Sequence, residues 1–251
     1  MSVTSTPVAP TSPTGGLPRS TRVTTGVLLI AAAVLAAVGA GWLSAVFSWP
    51  DILDAPGDTA IPAFIAAESA VRTAFYLMLA SSLLLIPAAI YLEQVVGGPA
   101  TPGVRTVTTF GVLGGFAQIL GWVRWPVTMP HLAEAYASAD ETTRTAVASS
   151  YDVLNRYAGG ALGEHLGWLF QGLWAIGLAI LLLRVHGVPR WYSYLGLVLS
   201  IAWLPLTWAS GLFEPEWLAP VGSTISVAWY LWLLALGLIL ITRQVQPPRT
   251  T

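Results

Sequence analysis

Cysteine and lysine are both missing from this chain. Without cysteine there is no disulfide framework, no thiolate zinc site and no cysteine nucleophile. Without lysine, all 11 basic side chains are arginines, and heavy use of alanine, glycine and proline beside them suggests a GC-rich bacterial genome. Charge is scarce too. Only 9% of the 251 residues are charged against 55% hydrophobic, where a soluble domain is typically about one-quarter charged. The solvent for most of such a chain is lipid. A Gly-rich phosphate loop, a Gly-x-Ser-x-Gly elbow and a dinucleotide fingerprint are all absent. The 3 histidines are too few, and too near the ends of apolar runs, for a di-haem bundle.

What the chain does have is long apolar runs. Residues 26–49 carry no charge, which is long enough for a span of about 20 residues and too long for the core of a signal peptide. Five more runs follow at 73–92, 106–126, 165–183, 191–213 and 217–242. Each is nearly continuous in hydrophobicity and about twice the length of a barrel strand, so the expected element is a helix that satisfies its own backbone. The expected fold is all-α, an integral membrane bundle of six transmembrane helices. Residues 1–25, rich in Ser, Thr, Pro and Gly, read as a disordered cytoplasmic tail. Residues 26–243 then form the transmembrane domain, and 244–251 a cytoplasmic C-terminal tail.

Arginine placement orients the bundle. With a cytoplasmic amino terminus, that face carries Arg19, Arg22, Arg105, Arg184, Arg190, Arg243 and Arg249, while the other holds Arg72, Arg124, Arg144 and Arg156 and every acidic residue except Glu93. Arginine excess on one side favours both termini in the cytoplasm of a cell (inner) membrane protein. Trp42, Trp49, Trp122, Trp125, Trp168, Trp191 and Trp217 fall near the ends of runs, as an interfacial belt would place them, whereas Trp203 and Trp232 lie deeper and read as packing residues.

Two connections exceed a turn, and both fall on the non-cytoplasmic side. "AIPAFIAAESAVR" suits a short helix leading into the second span. Between the third and fourth spans Asp140 is an N-cap, followed by apolar Val147, Tyr151, Leu154 and Ala158 at helical spacing; the expected element is a short surface helix. Gly111 with Gly115, and Gly159 with Gly163 and Gly167, repeat a four-residue spacing of small residues that suits close helix approach within one molecule. Pro205 implies a kink in the fifth span.

Chemistry is concentrated in "GWVRWPVTMPHLAEAY" and "GALGEHLGWLFQG". Arg124 lies near the outer boundary, so one reading is an arginine that lays its stem along apolar surface and lifts its head to the lipid headgroups. Its company argues for more. Pro126 and Pro130 break regular helix just beyond it, His131 and Glu134 follow, and Glu164 and His165 open the fourth span at the same depth. Glu164, Gly167, Trp168 and Gln171 share a helix face, and Glu68 with Arg72, four apart, can pair. The candidate pocket comprises Arg124, His131, Glu134, Glu164, His165 and Gln171, with Glu68 and Arg72 beside it. An Arg124–Glu164 clasp between spans is one use of these residues. A metal site on His131, His165 and Glu164 is a weaker one, and acid–base chemistry on a lipid or small molecule a third.

The order "GWVRWPVTMPHLAEA", then a polar helical segment, then "GEHLGWLFQGLW" resembles a family of bacterial multi-pass membrane proteins known only as a domain of unknown function. The resemblance runs from the first span to the sixth and implies six or seven spans, with no activity to carry over. The expected partner is the lipid bilayer, with no nucleic acid, and no cofactor is strongly implied. The leading expectation is a membrane protein with a polar extracytoplasmic mouth. Its rivals are a membrane enzyme or metal-binding protein, and a small-solute transporter or sensor; no ionisable residue in mid-span and no inverted repeat weigh against transport.

Overall fold

The structure is a computed structural model that describes residues 17–98, 101–212 and 218–248. In chain order it contains α1 (Arg19–Phe47), a 3₁₀ turn (Asp51–Leu53), α2 (Gly57–Ala66), α3 (Glu68–Val96), α4 (Pro102–Trp122), a π turn (Arg124–Thr128) and α5 (Met129–Ser138). There follow α6 (Glu141–Leu154), a π stretch (Asn155–Leu166), α7 (Gly167–Leu182), α8 (Arg190–Leu212) and α9 (Leu218–Thr242). Among the described residues there is no strand, only one isolated antiparallel bridge between His186 and Gln246.

Five helices are long and apolar enough to cross a membrane: Arg19–Phe47, Glu68–Val96, Pro102–Ser138, Glu141–Leu182 and Thr224–Thr242. The expected fifth run, 191–213, forms α8, which ends beside the undescribed residues 213–217. The expected start of the sixth run, with Trp217, lies outside the described residues, as do residues 1–16 of the expected tail and Arg249. Residues 19–25 are helical rather than part of a disordered tail, because α1 begins at Arg19, directly after Pro18.

The expected separate surface helix is corrected. α6 does start at Asp140, whose carboxylate accepts the N–H of Thr143 at 2.8 Å, and Tyr151 on its apolar face is buried. It does not stop, however. The chain stays helical through the π stretch into α7, 42 residues from Glu141 to Leu182, since Gly159, Gly160 and Gly163 permit a widened helix without breaking it.

Large apolar side chains such as Val34, Leu83, Ile90, Phe116, Val198 and Leu231 are exposed, the reverse of a soluble fold and the arrangement lipid requires. Contact between helices rests on small residues. A Cβ on Gly26 would lie 2.6 Å from the carbonyl of Gly237, and one on Gly121 2.7 Å from the Cα of Gly163. The expected glycine stripes therefore pack within the molecule. Gly111 abuts Trp174 of α7, Gly115 abuts α3, and Gly167 abuts Gln118. Polar bonds add to this: Ser81 donates to the carbonyl of Ala32 at 2.8 Å, Trp203 to that of Trp168 at 3.2 Å, and Trp232 to that of Tyr192 at 3.2 Å.

The chain's two described ends meet. Arg22 at the start of α1 donates to the carbonyls of Leu240 and Arg243 at the end of α9, and one apolar core, with Leu29, Leu92, Leu182 and Leu240, fills that half of the bundle. A second core fills the opposite end, where Phe47, Phe64, Phe75, Trp122, Trp125 and Tyr151 draw together α1, α2, α3, the end of α4, the π turn and α6. α2, α5 and α6 pack on one another above it.

Candidate functional site

Arg124 sits where the helix formed by α4 first departs from regular geometry. Pro126 has no N–H and its ring crowds the carbonyl four residues back, and the π turn at Arg124–Thr128 widens the backbone around it. π turns of this kind recur at functional sites. The second π stretch, Asn155–Leu166, lies against α4.

The guanidinium points inward. Arg124 is 4% exposed, so it does not rise toward headgroups. One terminal nitrogen donates to its own turn, at the carbonyl of Gly121 (2.6 Å), and the other to Oδ1 of Asn155 (2.8 Å). Asn155 passes the connection on, donating to the carbonyl of Leu53 at 2.6 Å, while Asp152 accepts the N–H of Gly57 at 2.8 Å. Gly159 makes room for the cation: a Cβ there would be 2.4 Å from an Arg124 nitrogen.

Trp125 lies beside the cation and is wholly buried, with the Arg124 carbon 5.2 Å from its ring centre. It stacks on Phe75 at 4.8 Å and meets Phe47 edge-on at 5.1 Å. The interfacial placement expected for Trp125 and Trp122 is thus corrected; both are buried packing residues. Trp42 and Trp191 are exposed, and Trp203 and Trp232 buried.

Glu164, the expected partner, does not touch Arg124. It is partly buried and has neither hydrogen bond nor contact ion pair among the described residues. The clasp is therefore Arg124 with Asn155, and the carboxylate stands off. Arg124 Nε, Trp125 Nε1 and the Tyr151 hydroxyl are buried without a partner among the described residues.

Other expected residues disperse. Glu68 and Arg72 pair at 3.0 Å as their spacing implies, each side chain 41% exposed. His165 Nδ1 lies 3.0 Å from the carbonyl of Thr207. His131 and Glu134 are exposed on α5. Among the described residues no three His, Asp or Glu side chains gather in a way that could hold a metal ion, so His131, His165 and Glu164 do not form a ligand set.

Gln171 is buried, as its face implies, but in a network the sequence reading missed. Trp122 Nε1 donates to Ser82 (3.2 Å), Ser82 to Oε1 of Gln118 (3.0 Å), and Gln118 Nε2 to Oε1 of Gln171 (2.8 Å). Gln171 Nε2 is left buried without an acceptor among the described residues. The signal was a lone amide, Gln118, in an otherwise apolar run. Asn155 offered none.

Long apolar helices with lipid-type surfaces and a polar cluster at one end define a multi-pass helical membrane protein. The chain belongs to the family described as domain of unknown function DUF4386, which it matches over residues 24–240. No curated protein and no solved structure matches it.

Proposed function

We propose that this is a six-span protein of the cell membrane with both termini cytoplasmic, and that it holds a small polar solute at its extracytoplasmic end, between Arg124 and Glu164. The sixth crossing is α8. Contact between the start of α1 and the end of α9 requires an even number of crossings, which supports six where five helices qualify by length and apolarity. The arginine excess at the end carrying the termini favours the cytoplasm for that end.

One observation carries the binding role: among the described residues Arg124 Nε is buried without a partner and the nearby Glu164 carboxylate makes no hydrogen bond or ion pair. Charges in membrane segments ordinarily pair, so a polar group lodged between them would complete both. A solute with a donor for Glu164 and an acceptor for Arg124 fits. The scattering of His131, Glu134 and His165 favours holding over metal-assisted or acid–base chemistry.

The test is mass spectrometry of small molecules released from purified protein. Wild type should carry a bound polar solute that Glu164→Gln loses while keeping its melting temperature. Identical small-molecule content in the two proteins would overturn the reading.

A further inference from the structure

The opposite end of the bundle has a feature that the Arg124 site does not explain. The tail after α9 folds back, and Gln246 exchanges backbone hydrogen bonds with His186 at 3.0 and 3.1 Å. This pins Pro247 and Pro248 across the loop after α7 and encloses an open hollow of roughly 460 Å³ lined by Arg184, His186, Gln246, Pro247 and Pro248. That volume is within the usual range for small-molecule sites, about 300–1,000 Å³.

Both the electrostatics and the depth of the hollow are specific. Among the described residues the Arg184 guanidinium and the His186 ring have no protein partner, and both residues are exposed. Arg22, by contrast, is tied to the end of α9. Among the described residues this end carries Arg19, Arg105, Arg190 and Arg243 as well, against Glu93 as the acid. Arg184 follows Leu182, the last residue of α7, by two positions, and Trp191 at the start of α8 is 67% exposed, the placement of a tryptophan at headgroup level. Basic hollows at the ends of membrane helices receive anionic headgroups.

We infer that the Arg184–His186–Gln246 hollow binds the phosphodiester headgroup of an anionic phospholipid from the surrounding leaflet. Arg184 offers two parallel N–H donors to the phosphate oxygens, and the Gln246 amide supplies a further donor. The ligand is a lipid rather than a free anion because Arg184 lies two residues past the end of the apolar helix α7, close in sequence to the exposed Trp191.

The test uses the full chain in nanodiscs of phosphatidylcholine with or without phosphatidylglycerol, read by native mass spectrometry and melting temperature. Wild type should retain phosphatidylglycerol and melt higher with it. Arg184→Gln should lose about fivefold in retention, and His186→Gln should also weaken it. Arg105→Gln, an exposed arginine at the same end but outside the hollow, should behave as wild type. Unchanged retention in Arg184→Gln would overturn the site, as would equal loss in Arg105→Gln, which would mean overall charge alone. Equal stabilisation by inorganic phosphate in phosphatidylcholine discs would overturn the lipid assignment.

Discussion

Arg124 and Asn155 are joined across 2.8 Å where two π-helical stretches meet. Asn155→Ala would leave a guanidinium nitrogen and the carbonyl of Leu53 unpaired at once. Hydrogen bonds to charged groups contribute about 1.5–3 kcal/mol, and a loss of that size is expected in denaturant titration of the reconstituted protein. A loss below about 0.5 kcal/mol, the range of a neutral surface change, would show that the bond does not hold the two stretches together.

Gly159 and Gly160 are adjacent but face different surroundings. A Cβ on Gly159 would lie 2.4 Å from Arg124, whereas one on Gly160 meets nothing within 4 Å. Gly159→Ala should therefore destabilise by about 1–3 kcal/mol, the usual cost of overpacking, while Gly160→Ala stays near wild type. Equal melting temperatures for the two variants would contradict the tight seat of the guanidinium.

Gln118 and Gln171 share one amide hydrogen bond inside the bundle. A double-mutant cycle with Leu at each position should return a coupling of about 0.6 kcal/mol and no more than about 1.7, as measured for hydrogen bonds between membrane helices. Full additivity would remove the network from the account.

Asp140 caps α6 and its carboxyl is held below the usual carboxylate range by the Thr143 backbone N–H it accepts. A depressed folded-state pKa means that the cap stabilises fully at pH values above the ordinary carboxylate range and is lost as pH falls through the lowered value. Protection of the amides of residues 141–145 against hydrogen exchange, relative to their intrinsic rates at each pH, should therefore fall at acid pH in wild type. Asp140→Asn should remove that acid dependence, and a profile still matching wild type would contradict the cap's role.

Much of the architecture was legible because lipid demands simple patterns. Uninterrupted apolar runs, a capping aspartate and glycines four apart each have one dominant physical meaning, and α1, α3, α4, α7 and α9 follow from them. The end of the bundle near Arg124 was legible as a place but not as a set of contacts. Arg124 is buried there, yet its contact partner is Asn155, a residue on a helix whose continuation into α7 depends on a π stretch that periodicity at 3.6 residues does not reveal, and Gln171 bonds Gln118 instead. Trp125 read as an interfacial residue because its position in the run was visible. The covering by α2, α5 and α6 was not.

The account rests on Glu164 standing near Arg124 on the extracytoplasmic side, in reach of a polar solute. The natural chain has no cysteine, so Glu164→Cys in intact cells offers one thiol to a membrane-impermeant maleimide. The account predicts labelling without permeabilisation, at a rate lowered by the solute released from wild type. Labelling that appears only after the cytoplasm is opened would contradict it.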